Sequence, residues 1–266
     1  PNGTADVNHF HAAGGLGFMI RELIAAGLLH DDVNTILGPG LDRYCVEPVL
    51  DGETLGFRPA QETSLDTNIL RGAKDPFDAE GGLRVVDGNV GRAIVKTSAV
   101  REERLRIEAP ARVFLTQQAF TEAFDDGSLE QDFVAVLPAQ GPSAIGMPEL
   151  HKLTPYLGVL QNRGFKVALL TDGRMSGASG SVLAAIQATP EAVNGGVIGK
   201  IRDGDIVTID AEAGIVSVRS DDDPAERPSP EFDLAPSHRG MGRDLFGAFR
   251  REVSGAEEGA FVLARP

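Results

Sequence analysis

Residues 133–180 read FVAVLPAQGPSAIGMPELHKLTPYLGVLQNRGFKVALLTDGRMSGASG. Two five-residue runs, Phe133–Leu137 and Lys166–Leu170, are almost wholly apolar, and each opens into a glycine-rich turn. A run apolar on both faces predicts a strand covered from both sides, the habit of parallel strands. Between them, Pro148–Asn162 carries apolar residues at helical spacing. Upstream the period falls to two. Leu83–Asp87, Ala93–Ser98, Leu105–Glu108 and Ala111–Leu115 predict short strands, followed by a helix over Gln117–Phe124. Downstream, Ser181–Gln187 predicts a helix, and Ile206–Asp210 with Ile215–Arg219 a hairpin turning at Glu212-Ala213-Gly214. Strands interleaved with helices in this order predict an α/β fold, a mixed β-barrel with flanking helices packed outside it.

The flanks differ. Residues 1–75 predict mostly helix, beginning with Phe18, Met19, Leu23, Ile24 and Leu28 at helical spacing. Asp31 or Asp32 would cap a short helix, Val33–Leu37, ended by Gly38-Pro39-Gly40, and a further helical patch is expected over Ser64–Leu70. Pro76 and Gly81-Gly82 mark a boundary. Residues 221–240, DDDPAERPSPEFDLAPSHRG, predict a linker or surface wrap. A last amphipathic helix would carry Leu245, Phe246, Phe249 and Val253. There is no internal repeat.

Composition narrows the function. The 266 residues are 42% hydrophobic and 24% charged with mean hydropathy −0.08, which excludes disordered and fibrous chains. Net charge is −14, from 25 basic and 39 acidic residues, a surface that repels phosphate backbones and makes nucleic acid an unsuited partner. No run approaches the ~18 apolar residues of a membrane span. One cysteine excludes a disulfide framework and predicts a reducing, cytoplasmic setting. The chain opens at Pro1 without an apolar leader, and we expect a piece of something longer.

Two turns concentrate the chemistry. Thr171–Gly180 follows one apolar strand, and its glycines let backbone approach a ligand. Ser176 would stand at the turn, Arg174 would add positive charge, and the helix expected after Ser179 and Gly180 would offer free N–H groups to an anion. The same turn reads equally as punctuation between elements. Gln140–Lys152 follows the other strand. Glu149, in the first turn of the expected helix, is either a partner for the helix dipole or a ligand. His151 and Lys152 beside it read as solvated residues or as site residues. Together the two turns could bring a carboxylate, a hydroxyl and cations to one place. Elsewhere the signals are thin. His9 and His11 have no third ligand at matching spacing, Gly15-Leu16-Gly17 lacks the third glycine of a dinucleotide fingerprint, and Cys45 has no partner. Lys96 sits in a strand pattern, at an edge or in a pocket.

These turns, in this order, resemble the dihydroxy-acid/6-phosphogluconate dehydratase family. The likeness covers essentially the whole chain: HFHAAGG (9–15), RELIAAGLLHDDV (21–33), GGLRVVDGNVGRAIVKTSA (81–99), GPSAIGMPELHKL (141–153), TDGRMSGASG (171–180) and RDGDIVTID (202–210). DRYCVEP (42–48), MPELHKLTPYLGVL (147–160), the SGASG ending of the serine turn and GRDLFGAFRREVSGAEEGA (242–260) are similar to the 6-phosphogluconate branch. Members are much longer, so the resemblance implies that this is their C-terminal part. Residues 1–80 would be the C-terminal tail of an N-terminal α/β, cluster-binding domain, 81–222 a swivelling β-barrel domain of β/β/α type, and 223–266 a linker and C-terminal helix.

The resemblance further implies a hydro-lyase that turns 6-phospho-D-gluconate into 2-dehydro-3-deoxy-6-phospho-D-gluconate in the Entner–Doudoroff pathway. Ser176 matches the base. Glu149 matches a ligand of a divalent metal, taken as Mg²⁺. Arg174, Lys152, Ser179 and Gly180 are our candidates for holding substrate anions. An iron–sulfur cluster (4Fe-4S or 2Fe-2S) would be ligated outside this segment, since Cys45 matches no cluster position. A homodimer, dependence on the missing N-terminal domain and an inactive isolated segment are expected. The alternatives are a dehydratase of an unphosphorylated sugar acid or branched dihydroxy acid, and a non-catalytic anion-binding barrel module.

Overall fold

A computed structural model describes residues 5–175, 180–240 and 245–263. The chain divides into two units, residues up to Gly81 and residues from Gly82 onward. In the first, Asp6 caps helix α1 (Val7–Ala12) by accepting the Asn8 and His9 N–H groups, and α2 (Gly15–Ala25) follows. Ala13, Phe18 and Leu70 make a small core with Phe10 and Ile69. The rest of this unit is less helical than expected. Val33–Leu37 is no helix: β1 (Asn34–Thr35) pairs with β2 (Gly38–Pro39), closed by the Thr35 hydroxyl donating to the Gly38 carbonyl at 2.7 Å. A second hairpin, β3 (Val46–Asp51) with β4 (Thr54–Pro59), follows. Ser64–Leu70 is a turn, because the side chains of Ser64 and Asp66 take the N–H groups of Asp66 and Asn68 and compete with a helical ladder.

The second unit is a closed eight-stranded barrel of β5 (Leu83–Gly88), β6 (Gly91–Lys96), β7 (Arg106–Val113), β8 (Phe133–Leu137), β9 (Val167–Thr171), β10 (Leu183–Thr189), β11 (Ile206–Asp210) and β12 (Ile215–Arg219). Around the barrel the order is β5-β6-β10-β9-β8-β7-β11-β12 and back to β5. Strands β7, β8, β9 and β10 run parallel to one another, β12 is parallel to β5, and the remaining pairs are antiparallel. Closure leaves no open edge to template aggregation.

Burial follows from this layout. On β8 and β9, Val134, Val136, Ala168 and Leu170 fill the barrel, while Phe133, Ala135, Leu137, Val167 and Leu169 face outward. Helices α3 (Gln117–Asp125) and α5 (Leu153–Asn162) pack on that outer face, so both strands are buried throughout. Phe120 of α3 meets Phe114 edge-on at 5.1 Å and Tyr156 of α5 at 6.3 Å, which locks the layer. On β11 and β12 only alternate residues are buried, Val207, Ile209, Val216 and Val218. The helix α3 is capped by Thr116, whose hydroxyl accepts the Ala119 N–H.

Three expectations for this unit fail. Ser181–Gln187 is not a helix; β10 occupies Leu183–Thr189 between β9 and β6, and the need to close the barrel overrides the helical preference of its alanines. A register shift between Ile186 and Thr189 hides the period of two. The two strands expected over 105–115 are one strand running through Pro110. The helix expected from Pro148 starts at Leu153, since a single turn, α4 (Pro142–Ile145), ends at left-handed Gly146, Met147 is left-handed as well, and the chain then reaches a bridge at Glu149. The 221–240 segment is pinned to the barrel by Arg227, 4% exposed at its side chain, which forks onto Asp205 at 2.5 and 3.0 Å and also reaches Asp222 and the Ser220 hydroxyl. The final helix, α6, spans Gly247–Glu252. Among the described residues no helix is long and apolar enough to cross a membrane.

Candidate active site

The loops leaving β8, β9 and β10 meet at the carboxyl ends of parallel strands, the end at which such sheets present ligand sites. Asp172, just past β9, is fully buried among them. Its carboxylate accepts the N–H groups of Gln140 at 2.8 Å, Ala139 at 3.1 Å and Ala192 at 2.9 Å, one loop from β8 and one from β10. Glu191, 2% exposed, adds a second tie by accepting the Ser143 N–H and hydroxyl, both at 3.0 Å. A Cβ at Gly141 would come within 2.4 Å of a Glu191 carboxylate oxygen, so only glycine admits this approach. Burial lifts the Asp172 carboxyl above the usual carboxylate range, while its amide donors pull it down. Burial lifts Glu191 likewise, and the Asp172 charge adds to it.

Non-glycine residues in left-handed backbone gather here: Ala139 (φ 59°), Met147 (φ 51°) and Gln187 (φ 55°). Each such conformation costs roughly 1–3 kcal/mol and persists where surrounding structure enforces it, a signature of functional sites.

The structure brings Glu149 and Arg174 together. Their segments form a parallel β-bridge, with the Leu150 N–H donating to the Arg174 carbonyl at 3.0 Å and the Arg174 Nε donating to the Met147 carbonyl at 3.0 Å. Glu149 is half-buried and Arg174 exposed. The first-turn reading of Glu149 therefore fails, because the residue lies in an extended bridge ahead of α5. His151 and Lys152 stand exposed in the turn before α5. Ser176 and Ser179 lie outside the described residues. Gly180 precedes a strand, so the helix-terminus rationale for anion binding at Ser179 and Gly180 does not hold. Its surroundings offer a different cation, since a Cβ there would sit 3.6 Å from the Lys96 Nζ. Beside the bridge opens a cleft of about 530 Å³, with Arg174 on its wall.

Sequence reasoning gave Asp172, Ser143 and Glu191 no part in this site. The signal was present for Asp172: an acid directly after five apolar residues stands where a strand end is buried. For Glu191 and Ser143 only the tertiary pairing reveals the role.

The donor set decides what could be held. Glu149 supplies one hard oxygen, suited to a cation such as Mg²⁺ as one ligand among several. Among the described residues no three His, Cys, Asp or Glu side chains gather as a metal site. An iron–sulfur cluster needs several thiolates, and the chain's only cysteine, Cys45, has its thiol pushed up by burial. These residues do not fit a cluster.

A sequence-family model described as the C-terminal part of dihydroxy-acid/6-phosphogluconate dehydratases matches residues 68–260. The chain belongs to this family. Within it, a phosphogluconate dehydratase of Pseudomonas aeruginosa is 55% identical over 262 residues, covering 98% of this chain and 43% of the relative. The phosphogluconate dehydratase of Escherichia coli K12 is 52% identical over 264 residues, 99% of this chain and 44% of the relative. A dihydroxy-acid dehydratase of Caldanaerobacter subterraneus is 32% identical over 272 residues, 98% of this chain and 44% of the relative. The chain thus spans less than half the length of these relatives.

Proposed function

We propose that the chain is the C-terminal part of a hydro-lyase that dehydrates 6-phospho-D-gluconate to 2-dehydro-3-deoxy-6-phospho-D-gluconate, a step of the Entner–Doudoroff pathway. The observation that carries this is the backbone bridge joining the segments of Glu149 and Arg174 in a member of a dehydratase family; it supports a carboxylate for a cation and a guanidinium for an anion at one place. Likeness to phosphogluconate dehydratases at 52–55% against 32% for a dihydroxy-acid dehydratase favours the phosphorylated sugar acid.

The chemistry asks for such residues. The C2 proton lies beside an ionised carboxylate, so its removal piles charge on an existing anion. A divalent cation, when bound, would spread that charge. Glu149 would hold the cation, and Arg174, with Lys152, Ser179 and Gly180, would hold substrate anions. Ser176 would take the C2 proton, and its hydroxyl is a weak acid that needs cationic surroundings; Lys96, near the end of that turn, is a source of them. The C3 hydroxyl leaves with a proton as water, and the C2–C3 enol tautomerises to the ketone. The iron–sulfur cluster would come from the N-terminal part of the protein. We place the enzyme in the cytoplasm, as a homodimer.

The full-length protein, bearing the N-terminal half, should form keto acid from 6-phosphogluconate with kcat/KM about 100-fold or more above gluconate, since a site built for a polar group rejects the analogue lacking it. No turnover of 6-phosphogluconate overturns the reading. In that protein Ser176→Ala should lower kcat by roughly 10²–10⁴-fold with unchanged circular dichroism and metal content; wild-type kcat would remove Ser176 from the base role.

A further inference from the structure

The C-terminal segment folds back over the candidate site. Phe246, Phe249 and Val253 form one wall of the 530 Å³ cleft, and Met147 and Arg174 form the other. Arg250, on α6, reaches into the same cleft, so two guanidinium groups from distant parts of the sequence line one cavity. No Asp or Glu lines it among the described residues, in a chain with 39 acids against 25 bases. Neither arginine forms an ion pair among the described residues, and Arg174 spends its Nε on the Met147 carbonyl, which aims its remaining N–H groups. Met147 is held left-handed, two residues before Glu149.

A pair of guanidiniums in a partly apolar cleft is a recognition site for a dianionic group, because each can donate two parallel hydrogen bonds to phosphate oxygens. We propose that Arg250 joins Arg174 to bind the phosphate of the substrate, making the C-terminal segment the element that selects phosphorylated over unphosphorylated sugar acids. This rests on the function proposed above and adds a residue and an element to it. Glu149, the proposed cation ligand, is bridged to Arg174 on the cleft wall, so the two ends of an extended six-carbon acid phosphate would be served from neighbouring segments.

The test uses the full-length enzyme with Arg250→Gln, and with Arg251→Gln as a control, since Arg251 does not line the cleft. Arg250→Gln should raise KM for 6-phosphogluconate by roughly 10- to 100-fold, the scale of one charged hydrogen-bonded partner, with kcat within about threefold. It should weaken competitive inhibition by inorganic phosphate by a similar factor and leave kcat/KM for gluconate unchanged. Arg250→Lys should fall between, because an ammonium keeps the charge and loses the fork. Arg251→Gln should match wild type. If wild type dehydrates 6-phosphogluconate and Arg250→Gln leaves KM and phosphate inhibition unaltered, this assignment is wrong. An equal loss on gluconate and 6-phosphogluconate also overturns it, as that reports a structural role. If wild type fails to act on 6-phosphogluconate, the underlying function is what fails.

Discussion

Asp172 satisfies three buried amides with one carboxylate and has no cationic partner among the described residues. Asp172→Ala would strand all three N–H groups, each worth about 1–3 kcal/mol, so the chain should lose at least ~3 kcal/mol, read as a lower urea midpoint at constant m. Its acid-base behaviour opposes that of the Arg227 cluster. Asp172 and Glu191 titrate above the ordinary carboxylate range, so the folded chain keeps protons that the unfolded chain releases. Their contribution is greatest below the ordinary range and declines as pH rises through the raised values. Burial raises Asp205, but its bonds to Arg227 and its neighbours outweigh this and lower it, and the Arg227 hydrogen bond holds Asp222 down at about 2. That support is present above the unfolded value near ~4 and is lost as pH falls toward 2. Asp222→Asn should therefore lower Tm near neutrality, where that support is present, and flatten the fall in Tm between about pH 4 and pH 2. At this scale the sequence marked the two turns that carry Glu149 and Arg174, because each turn follows a legible strand, but the bridge between those two residues is visible only in the fold. The sequence concealed Glu191 and Arg227, whose partners lie 48 and 22 residues away.

Among elements, the barrel's least supported seam is β12 with β5. There the paired register is Ile215 with Asp87, and the Asn89 side chain stands in for the missing rungs by donating to the Val218 carbonyl and accepting the Val218 N–H, both at 2.8 Å. A Cβ on Gly88 would fall 2.0 Å from the Val216 carbonyl oxygen, so the close approach needs glycine. Asn89→Ala should cost about 2 kcal/mol for two lost bonds, and hydrogen exchange at the Val218 amide should accelerate selectively. Unchanged protection there would mean that the strands hold the seam unaided. Strands β8 and β9 were legible because covering helices make them apolar on both faces. Strand β10 was not, because alanine-rich segments favour helix locally and only its two neighbours make it a strand.

For the whole molecule, the chain has the barrel and part of a site but spans less than half of its relatives. On the function proposed above, the cluster ligands come from the N-terminal part, so the isolated chain, with its single cysteine, should form no keto acid from 6-phosphogluconate while the full-length protein does. Measurable turnover by residues 1–266 would show that the missing half is dispensable. Family and barrel were readable from motifs, whereas the folding back of the C-terminal segment was not, because an exposed amphipathic helix carries no address for the surface it covers. The Asp172 clasp has a consequence for motion. Ala139, Gln140 and Ala192 share one acceptor, so none of their loops can swing outward alone without breaking into the others' anchorage. Their three amides should trade deuterium with a common rate, as a single latch releasing.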